Sequence, residues 1–301
     1  MRIRKPGMIR DQLWYLGHER SGIYLVEGRD ESMIISGGTS YIVPALIRQF
    51  REFGINKERI VRLLILHSHF DHVGIVPFCK RCNPALQIYA STRAWEILRM
   101  PTAIETINAF SRSVMERIGM VEVCSAYDLD WRNDVVGIAV SEGDHIDLND
   151  IKVHILETPG HSSCSISAYI PQFKALFASD SGGIPYKQTI LSSGNSNFTK
   201  FQESLEKLKT LEINFLCADH YGYVVGDEAS NFISRSIEMA MKNRAQMEDI
   251  YCRTRDVDAT AKELTSAFYA ENPDYLLPQE ISEGEYRQMV RHIAAALEGE
   301  A

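Results

Sequence analysis

The chain has 301 residues, of which 45% are hydrophobic and 24% charged, and its formal net charge is −8 at pH 7. These values are typical of a soluble globular protein that is long enough to bury a sizeable core. The acidic excess argues against nucleic acid or an anionic membrane as the main partner, because both attract basic surfaces. No apolar run is long enough to span a bilayer, and no secretory segment follows the basic N-terminus. We therefore predict a cytoplasmic protein that binds neither nucleic acid nor membrane.

The six cysteines are scattered along the chain. Cys79 and Cys82 have CxxC spacing, but a closed zinc site would need a second such pair. Cys164 follows His161 closely and is interpreted as a small buried residue. The cysteines are therefore interpreted as ordinary thiols and not as a disulfide or zinc framework.

The first part of the chain is predicted to form strands and one helix. Short apolar runs bounded by glycine predict strands at residues 12–16, 23–26 and 32–35. Helical spacing predicts a helix at 41–53. The apolar run 60–66 predicts a strand buried on both faces, and it leads directly into the segment HSHFDH.

The middle of the chain continues the mixture, and the last quarter is helical. Further predicted helices cover residues 74–78, 92–100, 102–118 and 198–211, with strands at 86–89 and 215–218. Hairpin turns separate strands at 138–140, 151–156, 165–169 and 175–178, which favours antiparallel sheet. The last predicted helices cover 228–255, 259–269 and 283–297, and Ser282 with Glu285 predicts a capping box. We therefore expect a strand-rich domain, residues 1–225, and a helical C-terminal extension, residues 226–301.

The segment from His67 to His72 carries the strongest chemical pattern. On an extended chain His67 and His69 point the same way, so both can bind one metal ion, and Asp71 and His72 can face a second ion. Such a cluster of ionisable groups is costly unless a cation compensates it. Imidazole and carboxylate ligands suit zinc, iron or manganese.

Three further candidate ligands stand at the ends of apolar strand runs, namely His161, Asp180 and His220. Taken singly, a histidine or aspartate at such a position is more often a surface or capping residue than a metal ligand. The remaining histidines have no ligand-type neighbours in sequence and are interpreted as outside the metal site; they are His18, His145, His154 and His292.

Four segments, HSHFDH, ETPGHS, FASDSGG and ADHYG, resemble in order and spacing the dinuclear metal motifs of the metallo-β-lactamase superfamily, of the glyoxalase II-like type. The resemblance covers roughly residues 12–225. It implies an α/β fold, a four-layer αββα sandwich with the metals at one edge, to which the predicted helical C-terminal extension is added. It also implies that His67, His69 and His161 bind the first metal, that Asp71, His72 and His220 bind the second, and that Asp180 bridges them. The helical tail, with a turn at residues 275–280, is similar to that of quinolone-signalling thioesterases of this superfamily, which have a dinuclear iron centre.

The predicted cofactors are two divalent metal ions, with zinc favoured and iron or manganese as alternatives. A water bridging two such ions loses its proton near neutral pH and becomes a nucleophile, and Asp71 can orient it or carry its proton. We expect a metal-dependent hydrolase of a small-molecule ester, thioester or lactone. A phosphodiester stays open as the substrate, because the chemistry of the site does not separate these classes.

Several alternatives remain. The resemblance disfavours a β-lactamase, because the related zinc enzymes lack a histidine at the position of His72, and it disfavours the nucleases, which carry a large inserted domain. A flavodiiron oxidoreductase typically has Glu where His69 stands and a fused flavodoxin domain. A signalling or adaptor protein would act through protein contacts. The tail is expected to cap the active site or to form a homodimer contact. Its aromatic residues are interpreted first as core of the tail and second as the cavity entrance; they are Phe268, Tyr269, Tyr275 and Tyr286.

Overall fold

The computed structural model describes residues 1–275 and 277–299. Leu276, which belongs to the predicted turn at 275–280, and the last two residues of the predicted extension lie outside the described residues. Two seven-stranded sheets pack face to face, and helices cover the outer side of each. The predicted four-layer αββα sandwich is therefore confirmed. Among the described residues, no helix combines the length and the apolar character needed to cross a membrane.

Sixteen strands are found in the described part of the chain. In chain order they are β1 (Arg2–Ile3), β2 (Gly7–Arg10), β3 (Leu13–His18), β4 (Ser21–Glu27), β5 (Ser32–Ile35), β6 (Ile60–Leu64), β7 (Gln87–Ser91), β8 (Ile138–Val140), β9 (His145–Asp147), β10 (Lys152–Glu157), β11 (Ile166–Ile170), β12 (Ala175–Phe177), β13 (Ile184–Tyr186), β14 (Thr189–Leu191), β15 (Phe215–Cys217) and β16 (Tyr223–Val225).

Ten α-helices accompany the strands in the same described residues. They are α1 (Val43–Glu52), α2 (Val76–Cys82), α3 (Thr92–Ile97), α4 (Pro101–Arg117), α5 (Val121–Cys124), α6 (Phe198–Leu208), α7 (Asp227–Ser230), α8 (Phe232–Thr254), α9 (Val257–Glu271) and α10 (Gln279–Glu298). Local sequence sets several of their starts. The side chains of Ser91, Asn197 and Asp256 cap α3, α6 and α9 by accepting hydrogen bonds from backbone N–H groups of the first turn.

The first sheet has the strand order β2-β3-β4-β5-β6-β7-β8. It is antiparallel from β2 to β5 and parallel from β5 to β8. Parallel neighbours need crossover connections, and α1 to α5 supply them on the outer face. Alternation along β4 shows how the layers form, because Ile23 and Leu25 pack under these helices while Tyr24 and Val26 face the second sheet.

The second sheet has the order β1-β16-β15-β12-β11-β10-β9 and is antiparallel except between β12 and β15. The prediction of antiparallel sheet for the strands between residues 138 and 178 is confirmed for β9 to β12. It is wrong for β8, which pairs in parallel with β7 and completes the first sheet. A turn pattern shows where the chain reverses, but it does not show which sheet a strand joins. The sequence therefore does not reveal that β8 belongs to the first sheet and β9 to the second.

The C-terminal helices α8, α9 and α10 pack with α6 over the outer face of the second sheet, on Leu176, Leu216 and Val224. The single long helix predicted at 228–255 is divided at Asn231 into α7 and α8.

The predicted capping box at Ser282 and Glu285 is also wrong. Helix α10 begins one turn earlier, after Pro278, whose φ of −58° and ψ of 143° precede the first helical residue. Ser282 therefore lies inside the helix, where its hydroxyl group is 2.9 Å from that of Tyr269.

Candidate metal centre

Four loops that follow strands of the sandwich meet at one edge. The loop after β6 carries the segment from His67 to His72, and the loops after β10, β12 and β15 carry His161, Asp180 and His220. All seven predicted ligands are brought together, in sets whose ligand atoms lie within 4.8 Å of one another. His67, His69 and His161 form one group, called the first set below, and Asp71, His72 and His220 form another, called the second set. A third group, His67, His72 and Asp180, connects the two sets.

The first set consists of three imidazoles. Nε2 of His161 lies 3.2 Å from Nε2 of His67 and 3.0 Å from Nδ1 of His69. Gly160 makes this approach possible, because its φ is 133° and a Cβ atom there would lie 2.2 Å from the backbone nitrogen of Phe201. The Pro-Gly-His segment therefore needs glycine at this position in order to place His161.

The second set combines a carboxylate with two imidazoles. A 3-10 turn at Phe70–His72 turns Asp71 and His72 away from the extended part of the loop. Oδ2 of Asp71 lies 3.6 Å from Nε2 of His72 and 3.5 Å from Nε2 of His220, and the two Nε2 atoms are 3.2 Å apart.

Asp180 stands between the two sets. Its Oδ2 atom lies 3.4 Å from Nε2 of His161 and 3.2 Å from Nε2 of His72, and its Oδ1 atom lies 3.6 Å from Nε2 of His220. A carboxylate with this placement has one oxygen directed toward both sets and a second directed toward His220. That is the geometry expected of a group shared by two cations.

The outward ring nitrogens fix the tautomers of two histidines. Nδ1 of His161 donates to the backbone carbonyl of Ser193, and Nδ1 of His220 donates to that of Arg20, each at 2.8 Å. A carbonyl oxygen can only accept, so Nδ1 carries a proton and Nε2 is the nitrogen available to a metal ion at the centre of the site. Such outer contacts are typical of metal-binding histidines.

Two residues that the sequence analysis missed support His72. Nδ1 of His72 lies 2.8 Å from Oδ2 of the buried Asp219, which also accepts hydrogen bonds from the hydroxyl groups of Ser36 and Ser179. Ser179 has a left-handed φ of 48°, and its hydroxyl lies 3.3 Å from Nδ1 of His67. Both missed residues directly precede predicted ligands, Asp219 before His220 and Ser179 before Asp180, and that adjacency is the pattern that could have identified them.

The donor set fits two divalent cations. Nε2 of His72 faces the carboxylates of Asp71 and Asp180, so this position needs a cation, either a proton or a metal ion. Two nitrogens bound tetrahedrally to one zinc ion at ordinary bond lengths lie about 3.4 Å apart. The separations of 3.0 to 3.2 Å within the first set are close to that value.

The pKa values separate the two sets. Burial, together with the neighbouring imidazoles, lowers the pKa of His69 to about 3 and holds that of His67 well below its usual range. Burial also lowers the pKa of His220, but Asp180 and Asp71 outweigh it and raise that pKa to about 9. The same carboxylates raise the pKa of His72 against the effect of burial. The histidines of the first set are therefore neutral at pH 7 in the metal-free protein, whereas His72 and His220 of the second set are protonated.

A cavity of about 790 Å³ opens onto the centre. One wall is apolar and comes from α4, with Ile107, Phe110 and Val114. The C-terminal extension also lines the cavity, through Tyr275 and through residues of α10 that include Gly284 and Glu285. Of the other tail aromatics, Phe268 and Tyr286 line a smaller neighbouring cavity of about 60 Å³, whereas the hydroxyl of Tyr269 donates to the backbone carbonyl of Leu277.

The residues interpreted as outside the site lie elsewhere. His18, His145, His154 and His292 are exposed, and neither they nor the cysteines belong to a possible metal-binding group of the described residues. Cys164 is buried, with its sulfur 3.3 Å from the hydroxyl of Ser68 and 3.1 Å from that of Ser162. It occupies the place of a small buried residue, as the sequence indicates.

Comparison with solved structures places the fold among known ones. A metallo-beta-lactamase family protein from Thermus thermophilus is 17% identical, with a TM-score of 0.67 over 97% of this chain and 95% of that chain. A superfamily protein from the archaeon Sulfolobus tokodaii is 18% identical, with a TM-score of 0.58 over 75% and 85%. Rubredoxin oxygen:oxidoreductase from Desulfovibrio gigas is 16% identical, with a TM-score of 0.59 over 79% and 62%. At these identities the likeness shows the fold alone.

The family comparison goes further than the fold. Residues 18–220, about two thirds of the chain, match the family model described as the metallo-beta-lactamase superfamily. This range contains all seven clustered ligand candidates. The superfamily is generally hydrolytic and dependent on divalent metals, and the His/Asp clusters of this chain agree with that chemistry. The chain belongs to the metallo-beta-lactamase superfamily.

Proposed function

We propose that the protein is a dinuclear metallohydrolase that cleaves a small ester, thioester or lactone. The observation that carries the proposal is the position of Asp180, whose carboxylate lies within 3.6 Å of imidazoles from both sets at the base of a cavity. The ligand roles follow the two sets. His67, His69 and His161 would hold one ion, Asp71, His72 and His220 would hold the other, and both ions would share Asp180.

Two divalent ions, zinc or alternatively iron or manganese, would lower the pKa of a shared water and polarise the acyl oxygen of the substrate. The protein's own groups prepare this chemistry. Ser193 and Arg20 orient His161 and His220 through their carbonyls, and Asp219 orients His72. Asp71 faces the second set from the cavity side, where it can orient the nucleophile or hold its proton.

The size and lining of the cavity favour a small acyl compound. A volume of about 790 Å³ is within the range of small-molecule sites, and the α4 wall offers apolar contact to an acyl group. We propose that the extension, residues 226–301, acts as a lid that excludes bulky phosphodiesters and structured nucleic acid. Tyr275 and α10 support this proposal because they line the same cavity as ligand candidates such as Asp71, His161 and His220. The alternative, a tail that joins two subunits, predicts a dimer by light scattering that dissociates when α9 or α10 is altered.

We also propose a cytoplasmic location. All six cysteines are free. Free thiols are the usual state in a reducing compartment. Fractionation of cells that produce the protein tests the location directly.

The hydrolase proposal is tested by metal analysis joined to a substrate panel. Protein purified without chelator, or reconstituted with zinc, iron or manganese, should contain about two ions per chain. Each form is then assayed with matched esters, thioesters, lactones and a phosphodiester, and the metal-free protein serves as the control. Protein that binds no metal after reconstitution contradicts the metal centre, and protein with two ions that hydrolyses no acyl compound contradicts the reaction.

The same panel separates the other candidate functions. A flavodiiron-like oxidoreductase would leave the esters intact and, in its iron form, consume dioxygen with an added reductant. A signalling or adaptor protein would show little turnover in any metal form. His69 favours the hydrolase over the oxidoreductase, because its Nδ1 atom converges with the nitrogens of the first set.

A further inference from the structure

A carboxylate in the metal cavity has no role in the hydrolysis outlined above. Glu285 lies on α10, lines the cavity and forms no salt bridge within the described part of the chain. Burial raises its pKa to about 8, with contributions from Asp71 and Asp180 that ions bound at those carboxylates would offset. Arg20 is the one Lys or Arg among the described lining residues, and it is largely exposed. A hydrogen bond with Asn195 only partly opposes the rise in the pKa of Glu285, so the carboxyl group is largely protonated at neutral pH. A cationic ligand beside it would favour its charged form.

Aromatic rings stand in the same cavity. Tyr221 and Tyr275 both line it, and both pack edge-on against the buried Tyr186, with centroid distances of 5.2 Å and 5.4 Å. The two cavity-lining rings therefore share one buried neighbour, Tyr186. The ring of Tyr221 also lies 6.4 Å from that of His220, so the aromatic group stands beside the second set of ligands.

The backbone of Tyr221 is strained in order to hold this position. Its φ is 62°, a left-handed conformation that bulky residues rarely adopt, and its N–H donates to the carbonyl of Glu19. Strain of this kind is kept where the surrounding structure fixes it, most often at functional sites. The position of the Tyr221 ring is therefore a constrained feature of the cavity and not a consequence of loose packing.

We propose that Glu285, Tyr221 and Tyr275 form a subsite for an organic ammonium group. The negative faces of aromatic rings attract a cation within about 6 Å of the ring centre, and quaternary ammonium groups are typical ligands of such clusters. A carboxylate adds Coulomb attraction that is stronger where water is partly excluded. The net charge of −8 also favours the approach of a cation.

The subsite defines a substrate class, and this step rests on the proposed hydrolase function. The ammonium group binds between Glu285 and the tyrosines, and the apolar part of the substrate lies against the α4 wall, at Ile107 and Phe110. Because Tyr221 neighbours His220, the scissile acyl group is separated from the ammonium group by only a few covalent bonds. The substrate is a small amphiphilic ester or thioester with one positive charge.

Binding of two isosteric alcohols tests the subsite without any need for turnover. Choline and 3,3-dimethyl-1-butanol have nearly the same shape and the same hydroxyl group, and they differ in the positive charge. Each is titrated into zinc-loaded protein by calorimetry. We expect choline to bind at least about tenfold more tightly than its uncharged isostere, because the charge contributes only through the carboxylate and the rings.

Variants identify the groups responsible. Glu285→Gln and Tyr275→Leu should reduce the preference for choline to about twofold or less, whereas Tyr275→Phe keeps the ring and should keep the preference. Glu283→Gln is the matched control, since Glu283 lies on the same helix but pairs with Arg287. Thermal unfolding of each variant checks the fold, and Glu285→Gln should unfold at or above the wild-type temperature, because a neutral amide replaces a carboxyl group whose ionisation the cavity disfavours.

The outcomes separate the two proposals. Equal binding of the two alcohols to the wild type, or an unchanged preference in Glu285→Gln, overturns the ammonium subsite. Hydrolysis of neutral esters without any preference for choline leaves the hydrolase standing and also overturns the subsite. A preference for choline that depends on Glu285, in protein that hydrolyses no member of the panel, supports the subsite and contradicts the hydrolase.

Discussion

Oδ2 of Asp219 lies 2.8 Å from Nδ1 of His72, on the side of the imidazole that faces away from the ligand cluster. Both side chains are almost fully buried, at 2% and 0% exposure. A buried carboxylate that accepts from Nδ1 directs the lone pair of Nε2 toward the metal position and makes the ring a stronger ligand. Asp219 is therefore a positioning residue for the second set. It contacts Nδ1 of His72, behind the ring, and is not one of the clustered ligand candidates.

Asp219→Asn should weaken binding of one metal ion by about 10- to 100-fold while the other ion is retained. The amide still fills the space but carries no charge to stabilise His72. Competition with a chromogenic chelator measures the two affinities. Asp11→Asn, at an exposed turn between β2 and β3, serves as the control. An equal loss at both metal positions would contradict the assignment of Asp219 to the second set.

The two metal positions should respond differently to acid. In the metal-free protein the pKa of His220 is about 9 and that of His72 is raised, so protons compete with metal at the second set across the neutral range. The pKa of His69 is about 3, so protons do not compete at the first set until far lower pH. Affinity at the second set should fall as the pH decreases below about 9, because each bound ion must displace protons there.

Dialysis against buffers of decreasing pH followed by elemental analysis checks this prediction. We expect about two ions per chain near pH 8 and about one ion near pH 6. Calorimetry in buffers of different ionisation enthalpy should show proton release for the second ion only. Loss of both ions together at one pH would show that the sets do not differ in this way.

Asp180→Asn should lower kcat by at least about 100-fold while the fold survives. The carboxylate supplies negative charge to both metal positions, and a neutral amide bridges poorly. Circular dichroism checks the fold and steady-state kinetics measure kcat. Asp147→Asn, on the exposed face of edge strand β9, is the control, because it removes one negative charge as Asp180→Asn does but lies outside the site. A folded Asp180→Asn protein with wild-type activity would show that this carboxylate is not shared by the ions.

The sequence predicts the parts of the site whose cause is local. Four ligand candidates fall within six residues after one buried strand, so the pattern from His67 to His72 is visible without the fold. His161, Asp180 and His220 lie far along the chain from that segment and acquire meaning only through the order of the motifs. Their convergence depends on which loops share an edge of the sandwich, and that is decided by sheet pairing over long separations.

Glu285 shows where local reasoning fails. Its spacing from Ser282 satisfies the capping-box pattern, yet α10 begins at Gln279 and turns Glu285 into the cavity. The pattern depends on a short local spacing, whereas the start of the helix depends on Pro278 and on packing against α9. For a similar reason Asp219 escaped notice, because a residue beside a ligand has no distinctive spacing of its own.

Gly284 offers a test of the lid that leaves the fold intact. It lies within α10 and lines the cavity, and a Cβ atom added there would meet nothing within 4 Å. Replacing a glycine inside a helix with alanine stabilises the helix by about 1 kcal/mol, so Gly284→Ala should raise the thermal unfolding temperature without changing substrate choice.

Gly284→Leu should be folded as well, but its side chain occupies cavity space. If α10 is the lid, kcat/KM for long acyl substrates should fall by about tenfold or more in Gly284→Leu, and kcat/KM for acetyl compounds should stay within about twofold. Removal of the whole extension cannot replace this test, because α8, α9 and α10 cover Leu176, Leu216 and Val224 of the second sheet, and exposing that surface would cause aggregation. An acyl-length profile that is identical in wild type, Gly284→Ala and Gly284→Leu would show that substrates do not pass along α10, and the lid would have to be abandoned.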